Sequence, residues 1–173
     1  MKRNIFILSF ICFFSNCFAA NLISVFGGVS TPIKYEEQKY FINAPCLDIA
    51  YSYTFTNNIV LETDFSFFYQ KRDVKEKLLK NYLYDFTLNF GYLLSFNRFS
   101  IVPQLHLGYA RYYFYGDQEI LPKALNFFCY GALIDFSYSF SNDYRIVFRP
   151  DLVFYSKEFF SPVKILIGFG KSF

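Results

Sequence analysis

Several residue types are scarce in this chain, and their scarcity excludes whole classes of protein. Its 173 residues include no tryptophan, one histidine and four cysteines, and only 18% of them are charged. So few charges, beside 54% hydrophobic residues, exclude the polar composition of disordered chains. Because one histidine and few cysteines provide no metal-ligand spacing, the sequence predicts neither a metal site nor a cofactor.

The first twenty residues differ from the rest of the chain. Basic residues precede an apolar stretch from Ile5 to Phe14, and small residues surround a candidate cleavage site after Ala19. This stretch is shorter than the roughly 20 residues that a membrane-spanning helix needs. We therefore predict a signal peptide over residues 1–19 and one mature domain over residues 20–173.

Export changes the charge and the cysteine count. Removing Lys2 and Arg3 from the 17 basic residues leaves a net charge of +1 against 14 acidic residues, which indicates no nucleic-acid partner. The mature chain keeps Cys46 and Cys129. A lipoprotein signal that retains Cys17 is the alternative, but the Ser-Asn pair before it matches such a site poorly.

The mature chain alternates between apolar and polar residues. From Tyr82 to Leu94 every even position is aromatic or leucine, whereas most odd positions are small or polar, and the pattern recurs from Phe128 to Phe140. Alternation at period two predicts β-strands. Since no apolar run of about 18 residues follows the signal peptide, a helical membrane protein is excluded.

The alternation predicts eight strands separated by two kinds of connection. Short connections rich in turn residues alternate with longer, charged ones, as in up-and-down barrels of outer membranes. The predicted strands are 22–33, 44–55, 59–71, 81–95, 99–115, 126–140, 144–155 and 162–173; the short connections are 56–58, 95–98 and 141–143, and the longer ones are 34–40, 72–80, 116–123 and 156–161. The predicted fold class is all-β, an eight-stranded antiparallel up-and-down transmembrane β-barrel.

The apolar face carries too many aromatic residues to lie inside such a barrel. Five of the strands place nineteen aromatic side chains on it, and an eight-stranded barrel has an interior only wide enough for well-fitted side chains. We therefore expect this face to contact lipid. A soluble exported ligand-binding barrel, which would have its apolar face inside, is an alternative.

The opposite face carries the charged residues. Because charges buried in a narrow lumen are costly unless paired, we predict a network in which three bases meet several of six acids, with the one histidine as a hydrogen-bonded member. The predicted lumen network consists of Asp48, Glu62, Asp64, Asp85, His106, Asp135, Arg145, Arg149, Asp151 and Lys164.

Two prolines interrupt the hydrogen bonding of predicted strands. Pro103 and Pro150 lie within predicted strands, where each removes a ladder donor, so we expect a local bulge at each.

Cys46 and Cys129 fall on strands half a circumference apart, which is too far for a disulfide. We predict two free, buried thiols.

The last strand carries a family resemblance. Ile165, Ile167, Phe169 and Phe173 lie on one alternating face, and with the signal peptide and eight strands the chain resembles the small outer-membrane barrels of the OmpA/OmpX-like type. The resemblance implies an outer membrane of a diderm bacterium, both termini periplasmic, and recognition of Phe169 and Phe173 by the barrel-assembly machinery. Lys171 departs from the apolar residue usual in that signal.

The resemblance also bears on activity. Some small outer-membrane barrels modify lipid A, and the deacylase type has a His-x-Ser pair facing lipid, whereas here Leu107 and Gly108 follow His106. We therefore predict no enzyme but a structural or surface-interaction (adhesin-like) role, with outer-membrane lipid and lipopolysaccharide as partners. A lipid-modifying enzyme is the alternative, and it needs His106 to face lipid.

One predicted loop is strongly basic and is a candidate surface site for an unidentified ligand. Contact with lipopolysaccharide or an acidic polymer is the functional interpretation, and a solvated loop is the commoner one. The basic residues are Lys71, Arg72, Lys75, Lys77 and Lys80.

The predicted lumen has six acids and three bases, so it has an acidic surplus that is costly to keep ionised when buried. We expect at least one lumen carboxyl group to be protonated, or His106 to be charged, at neutral pH. Carbon-13 NMR titration of the folded protein measures both. Six ionised carboxylates together with a neutral His106 would contradict the prediction.

Overall fold

Alternating residues form antiparallel strands throughout the part of the chain that the structure describes. The structure is a computed structural model, and it describes residues 18–32, 43–74, 77–115, 125–156 and 161–173. No helix in these ranges is long and apolar enough to cross a membrane. The strands are β1 (Phe18–Pro32), β2 (Ala44–Phe55), β3 (Ile59–Val74), β4 (Lys77–Tyr92), β5 (Leu94–Phe96), β6 (Phe99–Tyr115), β7 (Leu125–Ser139), β8 (Tyr144–Tyr155) and β9 (Pro162–Ser172).

The strands close into a barrel. Neighbours along the chain pair with each other except β4 and β5, which both pair with β6. The first strand pairs with the last, from Leu22 and Ser172 to Pro32 and Pro162. The short β5 continues the register of β4 against β6, so the two form a single crossing. The predicted all-β, eight-stranded antiparallel barrel is confirmed.

The strands differ most from prediction at the hairpin of β3 and β4. The ladder continues to the pair Val74 and Lys77, so only two residues separate strands for which we predicted a connection over 72–80. The charged side chains of this segment do not end the pairing of β3 with β4, because backbone N–H and C=O groups form its hydrogen bonds. Four of the five basic residues, Lys71, Arg72, Lys77 and Lys80, therefore have their backbones in strands, and the fifth, Lys75, lies outside the described residues.

Neither proline produces the bulge that the sequence predicts. The β7–β8 ladder is interrupted between Leu133 and Phe136, opposite Pro150, and resumes in the same register. The break between β4 and β5 lies opposite Pro103 and also leaves the register unchanged. A proline has no N–H to donate, so it removes ladder bonds without inserting a residue.

Asparagines make two of the predicted short turns. Asn58 has a φ of 66° and Asn97 a φ of 58°, a left-handed conformation that asparagine tolerates better than most residues. The Asn58 N–H donates to the Phe55 carbonyl oxygen at 3.0 Å and closes the first of these turns.

The apolar face lies outside, as predicted. Phe86, Phe90 and Leu105 are 54%, 59% and 70% exposed. Aromatic rings also contact one another across strands: the ring centroid of Phe67 lies 6.0 Å from that of Tyr82 and 5.1 Å from that of Tyr84. A soluble barrel with its aromatic face inside does not fit this arrangement.

The interior contains one apolar cluster beside its charges. Phe68, Phe127 and Tyr155 are buried in it together with Cys46 and Cys129. Both cysteines are free thiols, as predicted. These side chains fill the end of the barrel at which β3 leads into β4.

Two glycines test how tightly the strands approach. A Cβ at Gly108 would lie 2.1 Å from the Phe86 carbonyl oxygen and 2.8 Å from the Thr87 Cα, whereas a Cβ at Gly27 would meet nothing within 4 Å. We expect Gly108→Ala to lower the free energy of unfolding by roughly 1–3 kcal/mol, the usual cost of overpacking, and Gly27→Ala not to lower it. Urea unfolding in detergent micelles measures both variants, and an equal loss would contradict the prediction.

Candidate functional site

The polar side chains of the lumen form two charged clusters, each around one buried cation. Alternation along the strands points these side chains inward, and closure of the barrel brings residues distant in sequence together. Arg149 on β8 is the centre of the first cluster, and Lys164 on β9 is the centre of the second. Their exposed fractions are 0% and 2%.

The Arg149 cluster joins three carboxylates to one guanidinium. Arg149 Nη2 lies 2.8 Å from Glu62 Oε1, Nη1 lies 2.8 Å from Asp64 Oδ2, and Nε lies 2.6 Å from Asp135 Oδ1. The Phe26 ring packs on the guanidinium, with its centroid 4.1 Å from Cζ. A buried guanidinium needs such contacts, because an uncompensated charge in a dry interior is very costly.

Neutral side chains complete this cluster. Ser52 Oγ and Asn89 Nδ2 donate to the Glu62 carboxylate at 2.5 and 2.8 Å, and Gln104 Nε2 donates to Asp135 Oδ2 at 3.2 Å. Ser52 reaches Glu62 Oε2, whereas Asn89 and Gln104 each give a second hydrogen bond to an oxygen that already accepts from Arg149 Nη2.

The Lys164 cluster gathers three further carboxylates. Lys164 Nζ lies 3.3 Å from Asp151 Oδ2, 3.4 Å from Asp85 Oδ2 and 3.9 Å from Asp48 Oδ2. It also donates a hydrogen bond to Ser66 Oγ at 2.8 Å. One ammonium group thus faces three acids, so each cluster has more carboxylates than cations.

His106 belongs to the lumen and not to the outer face. It is 4% exposed, and its Nδ1 lies 3.4 Å from Asp151 Oδ1. A Cβ at Gly131 would lie 2.5 Å from His106 Nε2, so this glycine leaves space for the imidazole. The inward position agrees with the prediction and differs from the lipid-facing position that the enzyme alternative needs. The predicted hydrogen bond is not found, because neither ring nitrogen of His106 has a hydrogen-bond partner among the described residues.

Arg145 does not join the network as predicted. Its Nη2 donates to Ser172 Oγ at 2.9 Å, and no carboxylate of the described residues lies within 4.0 Å of its side chain. Arg145 lies at the start of β8, near the short turn, above a cavity of about 30 Å³ that Gln104 and Ser137 also line. That volume holds about one water molecule. Two buried cations, not three, therefore meet the six acids.

Sequence reasoning placed Gln104 on the polar face but missed the other neutral members of the two clusters. Ser66 and Asn89 lie at the alternate strand positions that point into the lumen, as the neighbouring acids do. The alternation of the sequence could therefore have identified them. The contact of Phe26 with Arg149 could not have been identified, because an inward aromatic residue on β1 gives no sign of its partner across the lumen.

The two residues of the predicted assembly signal lie on the outer face. Phe169 is 49% and Phe173 62% exposed. Phe173 exchanges backbone hydrogen bonds with Asn21, 3.1 Å for its own N–H, which holds the end of β9 against β1.

A closed eight-stranded antiparallel barrel with an apolar outer surface and a charged lumen has the fold of the small outer-membrane barrel proteins. Solved structures with this fold include Neisserial surface protein A (TM-score 0.69, 9% identity, 89% of this chain and 96% of that chain) and OprG from Pseudomonas aeruginosa (0.64, 16%, 91% and 97%). The attachment invasion locus protein Ail of Yersinia pestis is also similar (0.57, 16%, 89% and 97%). No protein-family model matches the sequence, and no curated protein matches it.

Replacing Arg149 tests the first cluster. We expect Arg149→Gln to lower the free energy of unfolding by about 3–5 kcal/mol, because it leaves three buried carboxylates without their cation. Arg145→Gln is the matched control and should cost much less, since Arg145 lies at the rim. Urea titration in micelles, followed by the fraction of folded protein, measures the difference. Equal losses in the two variants would contradict the assignment of Arg149 as the centre.

Proposed function

We propose that this chain is a non-enzymatic barrel of the outer membrane of a diderm bacterium, with a structural or surface-interaction role. One observation carries the proposal: a lumen filled by mutually bonded charges lies inside an apolar, aromatic outer surface. Such an outer surface is stable in lipid, and such a lumen does not need solvent.

The filled lumen argues against a passive pore. The Arg149 and Lys164 clusters cross the lumen from one wall to the other, because their partners lie on β2, β3, β4, β7 and β8. An aromatic and cysteine-containing cluster adds to them at one end. Ions would have to break buried ion pairs to pass.

The position of His106 favours a non-enzymatic role over a lipid-modifying enzyme. An enzyme acting on lipid needs its acid-base group within reach of the acyl chain, and His106 is buried beside Asp151 in the lumen. The one histidine of the chain therefore does not provide an acid-base group on the outer face.

The proposed orientation places both termini and the short turns in the periplasm. Short periplasmic turns and longer outside connections are the rule for outer-membrane barrels. The turns at Asn58 and Asn97 lie at the same end as β1's start and β9's end, which supports this orientation. The predicted signal peptide would direct export, and Phe169 and Phe173 would present the assembly signal to the barrel-assembly machinery.

The basic hairpin of β3 and β4 would then face the cell surface. Lys71 pairs with Lys80 there, so basic residues lie opposite each other on two strands. Ail has been solved in complex with the heparin analogue sucrose octasulfate, a polyanion. By that analogy we propose that lipopolysaccharide or another anionic surface polymer contacts this hairpin.

Refolding with and without lipid tests the proposal. We expect the urea-unfolded chain to fold only with micelles or vesicles, and the unboiled sample to run faster on a gel than the boiled one, because a closed barrel is compact and survives mild detergent. The measurement is the band shift with and without detergent.

Two outcomes would contradict the proposal. Folding in plain buffer would mean that the outer surface tolerates water, and the membrane location would be wrong. Ion currents from the refolded chain in planar bilayers would mean that the lumen opens, and the non-porin role would be wrong.

A further inference from the structure

The outer face of the barrel carries few charges among its described side chains. Among the strand residues whose side chains the structure describes, only Arg111 on β6 and Lys171 on β9 place a charge on the lipid side, and both charges are positive. The strand acids with described side chains face the lumen instead. A lone cation beside a hydrocarbon surface needs an anionic partner from outside the protein.

Arg111 lies where the outer face changes from apolar to polar. Along β6 the outward residues before it are Leu105, Leu107 and Tyr109, all more than half exposed. Arg111 pairs with Asn126 on β7, an exposed polar residue next to the first residue of that strand. This level is the boundary between hydrocarbon and headgroups, where the phosphates of lipids lie.

The side chain of Arg111 contacts one tyrosine ring and has no anionic partner among the described residues. Its Cζ lies 5.0 Å from the ring centroid of Tyr113, and Tyr113 meets the ring of Tyr84 edge-on at 5.9 Å. None of the described residues accepts a hydrogen bond from its guanidinium or lies in ion-pair distance of it. The planar guanidinium of Arg111 therefore lies against the Tyr113 ring, and its five N–H donors are available at the level of the lipid headgroups.

We propose that Arg111, with Tyr113 beneath it and Asn126 beside it, binds the phosphate group of a membrane lipid in the leaflet on the long-connection side. The guanidinium fork fits two phosphate oxygens, and the Asn126 amide can donate to a third. Lys171 lies at the other end, 5.8 Å from the ring of Tyr144, and has the point charge of an ammonium instead of a fork. This inference rests on the membrane location proposed above.

Retention of a phosphorylated lipid tests the site. The probe is diphosphoryl lipid A in micelles of a non-ionic maltoside detergent, which carries no phosphate, and native mass spectrometry counts the lipid A molecules that stay on the folded barrel. We expect R111Q to weaken retention by about tenfold, the loss of one charge-assisted contact. The matched control is R98Q, which removes the same charge from the exposed turn between β5 and β6 and should retain lipid A as the unmodified chain does.

The outcomes distinguish binding at Arg111 from general electrostatic attraction to the barrel. They also distinguish failure of this site from failure of the proposed function. Equal retention by R111Q and R98Q, whether high or low, overturns the site. If R111Q does not fold, R111K replaces it: weaker retention supports the fork geometry, and retention equal to that of the unmodified chain overturns it. A heat-modifiable band in every variant shows that the barrel is intact, so loss of lipid A then concerns Arg111 alone.

Discussion

The contact between Arg149 and its three carboxylates is the interaction on which the lumen depends. It joins β8 to two residues of β3 and one of β7 across the barrel. A narrow barrel must fill its interior with side chains, and this chain fills it with charges beside an apolar cluster. Each buried charge depends on the others, because removing one partner leaves an uncompensated charge in the interior. The network therefore requires the closed ladder, and its charges also favour one register over slipped ones.

The barrel and the content of its two faces could be predicted from residue parity. Alternation from Tyr82 to Leu94 indicates a strand, and the volume of the aromatic residues indicates which face lies outside. Parity is a local property, since it depends only on the geometry of an extended chain. For this reason the strands outside the hairpin of β3 and β4, the turns at Asn58 and Asn97 and the inward position of His106 agree with prediction.

The pairing inside the lumen could not be predicted, because parity gives the face of a residue but not its height along the barrel. Arg145 and Arg149 have the same parity on β8, yet one meets three acids and the other lies at the rim beside Ser172. Height depends on the register of every ladder around the barrel, which closes only in three dimensions. The extension of β3 to Val74 was missed for a different reason, since charged residues hide a ladder that backbone groups make.

The distribution of charge relates this interior to the surface. Six carboxylates face the lumen, where two buried cations lie among them, and no strand acid whose side chain the structure describes lies on the lipid side. Over this part of the outer face, an anionic lipid meets no repelling charge and finds a cation near each end, at Arg111 and at Lys171. Because like charges would cost binding energy at a low-dielectric surface, keeping the acids inside makes the outer surface compatible with phosphorylated lipids. The same arrangement of acids that closes the lumen thus favours an anionic membrane around the barrel.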